Sequence, residues 1–193
     1  MGQHSEEIKR GARFTFGADW SRFLSVVNDE RVDQAKTSLR QMLETETLQG
    51  KTFLDVGAGS GLFSLAARVM GATMRSFDYD PESVACTMQS ERRYRPEDPD
   101  WQISEGSALD AEYLASLGRF DVVYSWGDLR HTGHMWDALA NAAPLVRQGG
   151  KLHIPIDDDR GGASKRCRRV KQSYNRLLTL LRLPYVVLVV GSR

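Results

Sequence analysis

The stretch Leu54-Asp55-Val56-Gly57-Ala58-Gly59-Ser60-Gly61-Leu62-Phe63 decides the fold. A short apolar run from Thr52 to Val56, suited to a buried strand, passes straight into a glycine-rich turn and then into a helix at about 60 to 70. Glycines at 57, 59 and 61 let a backbone approach a ligand closely and open the helix N-terminus. The spacing is G-x-G-x-G, tighter than the G-x-G-x-x-G that makes room for a pyrophosphate. Asp55 precedes the turn. An acid at that place suits a ligand with a cationic amino-acid end better than one with two phosphates. A structural strand-to-helix turn with no ligand is the plainer alternative.

Downstream of this turn the chain alternates. The sequence predicts a strand at 73 to 77, a helix at 82 to 94 with Pro81 in its first turn, and a loop at Arg95-Pro96-Glu97-Asp98-Pro99-Asp100. A strand at Trp101 to Glu105 and a short helix at 110 to 117 follow, then a buried strand at Phe120 to Ser125. A helix at about 134 to 147, ended by Gln148-Gly149-Gly150, and a strand at Lys151 to Ile156 complete the pattern. Strand and helix alternating five times imply right-handed crossovers and a parallel sheet covered on both faces. The expected fold is Rossmann-like α/β, doubly wound, with three αβα layers. Its ligand site is expected beyond the carboxyl ends of the strands, at the switch point. Upstream, residues 19 to 45 read as helix, with Asn28-Asp29 as a candidate break. The expected organisation is an N-terminal helical cap at 1–48, a cofactor core at 49–158 and a basic tail at 159–193, all within one domain.

Length and composition agree with this reading. The chain has 193 residues, 41% of them hydrophobic and 26% charged, a globular profile without staples. No apolar run approaches the roughly 20 residues of a membrane span, and the N-terminus lacks a signal-peptide core, so a cytoplasmic address is expected. Cys86 and Cys167 have no metal-type spacing, and no metal is expected. The net charge of +1 conceals an asymmetry. Residues 160 to 193 carry nine Lys or Arg and no acid, which leaves 17 basic and 25 acidic residues in the rest.

The second chemical signal is Ser76-Phe77-Asp78-Tyr79-Asp80-Pro81. An acid at this strand end can accept both hydroxyls of a ribose, which favours Asp78 for that role, while Asp80 before Pro81 suits a helix cap. Taken together, LDVGAGSGLFSLAA, SFDYDPESV, EGSALD and FDVVYSWGDLRHTGHMWDALANAAPLVRQGGKLHI resemble a class I S-adenosylmethionine-dependent methyltransferase. The likeness is greatest to the small-molecule O-methyltransferases of the ubiquinone-biosynthesis type, over roughly residues 50 to 156.

The resemblance implies S-adenosylmethionine as cofactor and a small-molecule acceptor, with oxygen as the expected acceptor atom. It implies that Gly57, Ala58, Gly59 and Gly61 wrap the methionine part, with Asp55 facing its ammonium. Asp78 would hold the ribose, and Tyr79, Ser107 and Ala108 would meet the adenine. Ser125 and Trp126 would flank the sulfonium. In Trp126-Gly127-Asp128-Leu129-Arg130-His131, the histidine is the candidate base, with a loop histidine that only shapes the pocket as the alternative. Asp128 and Arg130 depart from the family pattern, and an inactive cofactor-binding module is the rival reading. Trp20 and Phe23 would line an acceptor pocket or pack in the core.

The tail reads as a basic amphipathic helix at 165–182 stopped by Pro184, followed by Tyr185 to Val190 as a strand or a helical stub. A solvated face, weak contact with an anionic membrane and nucleic-acid binding are its readings in that order. The resemblance implies a closing strand hairpin, which is expected to be short or absent here. A sheet edge covered by the tail or by a second copy in a homodimer is therefore expected.

Overall fold

The computed structural model describes Leu24, residues 27–155, and Val170, Ser173 and Pro184. The chain divides into two compact units, Met1–Ile156 and Asp157–Arg193, and every element named below belongs to the first. The expectations for Trp20, Phe23, the closing strand hairpin and Tyr185 to Val190 lie outside the described residues. Val170 and Ser173 are helical, and so is Pro184, where the sequence reading placed a stop. A proline is compatible with the first turn of a helix.

Helix α1 spans Asp29–Leu43. Asn28 starts it, because its side chain accepts the Arg31 N–H at 3.0 Å, and Asp29 and Glu30 sit in the first turn. Val32, Ala35, Leu39 and Leu43, at helical spacing, form its buried stripe. Glu44 then turns left-handed, with its N–H returning to the Arg40 carbonyl. The core follows as β1 (Thr52–Val56), α2 (Leu62–Val69), β2 (Thr73–Asp78), α3 (Pro81–Tyr94), β3 (Trp101–Glu105), α4 (Ala111–Ser116), β4 (Phe120–Tyr124), α5 (Met135–Ala142) and β5 (Val146–His153). Asp80 caps α3 by accepting the Glu82 N–H, with Pro81 at its start, as the sequence indicated.

All strand pairs are parallel, in the order β3-β2-β1-β4-β5. The chain reverses direction across the sheet between β1 and β4, so the switch point lies at the carboxyl ends of those strands. Phe53, Leu65 and Tyr124 belong to the apolar cluster on the α1 and α2 face, and Leu54, Val56 and Val123 to the cluster on the α4 and α5 face. Each fully buried side chain of this size contributes about 1.5–3 kcal/mol. The register aligns Ser76, Asp55, Tyr124 and His153 in one row across four strands. That row lies on the α1 and α2 face, and it runs close to the switch point.

One segment departs from the sequence reading. The helix expected to reach about 147 stops at Ala142, and Ala143–Leu145 tightens to a 3-10 turn. Pro144 explains the change, since it cannot donate in a helix interior. Gln148-Gly149-Gly150 is not a helix end. It sits inside β5, where the register to β4 shifts between Phe120 and Val122. A Cβ on Gly150 would meet the Asp121 carbonyl at 2.8 Å, so the bulge depends on glycine there.

The loop at 95–100 is fixed by Arg68. Its guanidinium donates to both oxygens of Asp98, at 2.8 and 2.9 Å, and to Asp100 at 3.0 Å. Burial opposes charge on Asp98, but Arg68 and the Asp100 N–H outweigh it and hold the carboxyl below its ordinary value. Arg68→Ala is expected to destabilise the protein by about 2 kcal/mol, read as a urea midpoint shift at unchanged slope. A depressed carboxyl stabilises the fold above its unfolded pKa and loses that contribution as pH falls. The cost of the substitution should therefore shrink below pH 4.

Candidate functional site

The glycine turn is held by the end of β2. Gly57 and Ala58 both donate their N–H to the Phe77 carbonyl, at 2.9 and 3.1 Å. Gly59 N–H donates to Asp78 Oδ2 at 2.9 Å, and Gly61 N–H to the Ala58 carbonyl at 2.9 Å. Gly57, Gly59 and Gly61 have φ of 75, 58 and 74°, the left-handed region that favours glycine. Four N–H groups of the turn are thus used within the protein. A phosphate-binding turn instead aims these donors outward.

Asp78 is the hub. Besides the Gly59 N–H, it accepts the Asp80 N–H on Oδ1 at 2.9 Å, and its main-chain carbonyl takes the Gly106 N–H at 3.0 Å. The glycine turn, the β2 end and the Glu105-to-Ala108 segment therefore converge on one residue. Burial pushes the Asp78 carboxyl up, against the N–H donors from Asp80 and Gly59. A carboxylate has about four acceptor positions, so these N–H donors do not exhaust it and a ligand hydroxyl can still be accepted.

Asp55 lies below the turn and is 2% exposed. Ser64 donates to it at 2.5 Å, Ser76 donates to Ser64 at 2.8 Å, and Trp101 Nε1 donates to Ser76 at 3.0 Å. Every donor in this chain points toward the carboxylate. Burial nevertheless raises the Asp55 pKa to about 7, with Ser64 opposing and the Asp78 charge adding.

The remaining expected residues spread around the same strand ends. Tyr79 is half-buried beside Asp78. Ser107 Oγ accepts the Leu109 N–H at 3.2 Å, and Ala108 is buried with its carbonyl on Asn141. Ser125 is fully buried, its hydroxyl donating to the Val56 carbonyl at 2.8 Å and its N–H to the His153 carbonyl. Trp126 is 51% exposed and stacks on Phe63, with centroids 5.5 Å apart.

His131 closes a 3-10 turn at Leu129–His131. Arg130 Nε donates to its Nε2 at 3.1 Å. Burial first, and then the Arg130 cation, pull the imidazole below its ordinary value, so it is neutral at pH 7. Its Nε2 lone pair is engaged by Arg130. Among the described residues, no group of three or more His, Cys, Asp or Glu could hold a metal.

Three groups at this site have structural roles that the motifs do not show. Asp128 packs directly on the turn, since a Cβ on Gly57 would stand 2.1 Å from Asp128 Cβ. Ser64 and Ser76 carry the donor chain to Asp55. Tyr124 and His153 stand in the polar row. Asp128 stands out in the sequence only as a departure from the family pattern, and Tyr124 and His153 only as a tyrosine and a histidine in strands that otherwise read as apolar.

A doubly wound sheet with a glycine turn and an acid at the β2 end defines the class of α/β proteins that bind a nucleoside-containing cofactor at the switch point. Residues 53–150, half of the chain, match the methyltransferase domain family, and the chain belongs to that family of class I, S-adenosylmethionine-dependent fold. The magnesium protoporphyrin IX methyltransferase from Synechocystis PCC 6803, solved with bound SAH, superposes with a TM-score of 0.65 at 16% identity. That superposition covers 86% of this chain and 78% of that one. An O-methyltransferase family protein from Burkholderia thailandensis gives 0.59 at 20% identity, over 79% of this chain and 47% of that one.

In sequence, the chain is similar to the tRNA U34 carboxymethyltransferases of Pseudoalteromonas translucida and Pseudomonas aeruginosa. It is 32% identical to the first over 114 residues and 35% identical to the second over 119. Those matches span 58% and 61% of this chain, but only 34% and 35% of the relatives. Among the described residues, no helix is long and apolar enough to cross a membrane.

Proposed function

We propose that this protein is an S-adenosylmethionine-dependent methyltransferase that methylates a small molecule at a hydroxyl oxygen. The observation that carries the cofactor assignment is the consumption of the turn's N–H groups inside the protein. With the N–H groups of Gly57, Ala58, Gly59 and Gly61 used internally, the turn offers chiefly close approach and carboxylates, which fits a cationic amino-acid end and a ribose better than a pyrophosphate. Gly57 to Gly61 and Asp55 would face the methionine part, Asp78 the ribose, and Tyr79, Ser107 and Ala108 the adenine. When bound, this cofactor supplies an activated methyl electrophile.

The work left to the chain is alignment, exclusion of water and custody of the acceptor proton. Asp78 fixes the turn and the Gly106 loop together, which sets the cofactor's position against the strand ends. His131 is neutral, and its main chain is tied to Asp128, which packs on the glycine turn; in this reading it takes the acceptor proton once Arg130 releases Nε2.

Isothermal titration tests the cofactor, and transfer of labelled methyl to a panel of phenols, catechols and quinols tests the chemistry. No binding of either S-adenosylmethionine or S-adenosylhomocysteine refutes the reading. Binding without transfer to any acceptor favours an inactive module, which the Arg130–His131 bond would explain. A second reading is an RNA acceptor, favoured by the tRNA-acting relatives. Labelled transfer to unfractionated tRNA, with none to the small-molecule panel, would establish it instead.

Two pH effects follow. An Asp55 that titrates at about 7 must be ionised to face a cationic group. Cofactor affinity should therefore weaken as pH falls from 8 to 6, and Asp55→Asn should flatten that dependence. Calorimetry across the range checks this, and a flat wild-type profile would exclude the contact. If His131 is the base, Arg130→Met should raise its pKa toward the ordinary value and move the acidic limb of the rate profile upward. An unmoved limb would return His131 to a structural role.

A further inference from the structure

Three near-parallel rings lie beside the switch point, with the buried Tyr124 between a partly buried His153 and an exposed Trp126. His153 stacks on Tyr124 with 9° between planes and centroids 5.7 Å apart. Tyr124 lies 17° from the plane of Trp126, with centroids 6.5 Å apart. Phe63, from the first turn of α2, leans on both Tyr124 and Trp126. Stacking immobilises an indole that is still half open to solvent. Trp136, at 69%, is the other exposed indole among the described residues, and what sets Trp126 apart is that its ring is held against those of Phe63 and Tyr124.

A second observation lies in the same ladder. The Tyr124 hydroxyl and His153 Nε2 are covered, yet neither has a hydrogen-bond partner. Leaving a buried polar atom unpaired costs stability, and a phenylalanine at 124 would pack the same ring without that cost. Tyr124 has no role in the cofactor assignment above. It adjoins Asp55 in register, one strand from the glycine turn, on the β5 side of the switch point.

We propose that the exposed face of Trp126 seats a planar, hydroxyl-bearing aromatic ring of the methyl acceptor, and that the Tyr124 hydroxyl and His153 Nε2, both covered in this structure, are uncovered on binding to hold its polar group. This deepens the small-molecule reading and rests on it. It also moves Trp126 from the cofactor's surroundings to the acceptor's. The ring geometry sets the chemical class: an offset-stacked platform rewards a flat π-system and gives an aliphatic alcohol of equal size little. Tyr124 and His153 supply both donor and acceptor capacity, which matches a phenolic hydroxyl and its anion.

The test uses the full chain and 2-naphthol as probe, with cyclohexanol as the aliphatic control, titrated by fluorescence and calorimetry with and without S-adenosylhomocysteine. We expect saturable naphthol binding to the wild type and none by cyclohexanol. Trp126→Leu should weaken naphthol at least tenfold, and Trp126→Phe no more than threefold, while S-adenosylhomocysteine affinity stays within twofold in both. Tyr124→Phe should weaken naphthol about fivefold and leave the melting temperature equal or higher, because it removes an unpaired hydroxyl. A merely structural tyrosine would not lose ligand while keeping stability.

Equal naphthol affinity in Trp126→Leu and wild type overturns the proposal, as does S-adenosylhomocysteine loss matching naphthol loss. Failure of the wild type to bind naphthol while it binds S-adenosylhomocysteine also overturns it. Failure to bind S-adenosylhomocysteine at all is a different result and refutes the cofactor reading. If oligouridine binds in naphthol's place and is lost in Trp126→Leu, the ring is a nucleobase and the small-molecule acceptor is wrong.

Discussion

Asp78→Ala is expected to weaken S-adenosylmethionine by about 3 kcal/mol, on the order of 100-fold. Two losses add. The carboxylate disappears from the place where the ribose hydroxyls would bind, and the N–H groups of Gly59 and Asp80 lose their acceptors. The second loss would loosen the turn even without a ligand contact, so reduced affinity alone does not prove a ribose role. A cycle between protein and ligand separates the two. Wild type and Asp78→Ala are each titrated with S-adenosylhomocysteine and with its 2′-deoxy analogue. If Asp78 binds the ribose, the wild type loses affinity for the deoxy analogue, and the variant discriminates far less. If both proteins lose the same amount, Asp78 serves the turn only. Unchanged affinity in the variant refutes both roles.

That double duty was hidden in the sequence for a definite reason. An acid at the end of a strand, 17 residues past Gly61, reads as a ligand group, and nothing in its spacing shows that it also ties down the turn. The elements themselves were legible because period and punctuation agreed. Trp101 to Glu105 alternates and is bounded by Pro99 and Gly106; Pro81 opens α3, and Asp80 caps it. The misreading at 134 to 153 came from treating Gly149-Gly150 as punctuation, when the bulge of β5 required it, while Pro144 had already ended the helix.

Within the site, motif residues were legible because glycine and aspartate in a strand–turn–helix have few other uses. Partners from distant segments were not. Ser64 and Ser76 look like filler in a helix and a strand, and only the sheet register, for Ser76, and the packing of α2 on the sheet, for Ser64, place them in one chain with Asp55. Tyr124 and His153 are 29 residues apart and become neighbours only through the β4–β5 pairing.

Asp128 shows this dependence most sharply, and it leads to the other large effect. Gly57→Ala is expected to cost about 2–5 kcal/mol of stability and to abolish measurable cofactor binding. Two terms are involved, and they can be separated. Holding alanine at φ 75° costs roughly 1–2 kcal/mol whatever surrounds it. The new methyl carbon would also stand 2.1 Å from Asp128 Cβ and 2.3 Å from its Cγ, which no side-chain rotation relieves, because Cβ itself is in the way. The turn or the 127–131 segment must move. Removing the obstacle with Asp128→Gly should therefore recover the steric part in the double variant and leave only the backbone strain. Melting temperatures of the four proteins give this cycle directly, and calorimetry with S-adenosylhomocysteine gives its counterpart in binding. A double variant no better than Gly57→Ala would mean that Asp128 does not press on the turn. The departure from the family pattern at 128 would then be a matter of the acceptor alone. Recovery would mean that Asp128 restricts which residue the turn's first glycine can become, and so helps set the shape in which the cofactor end is received.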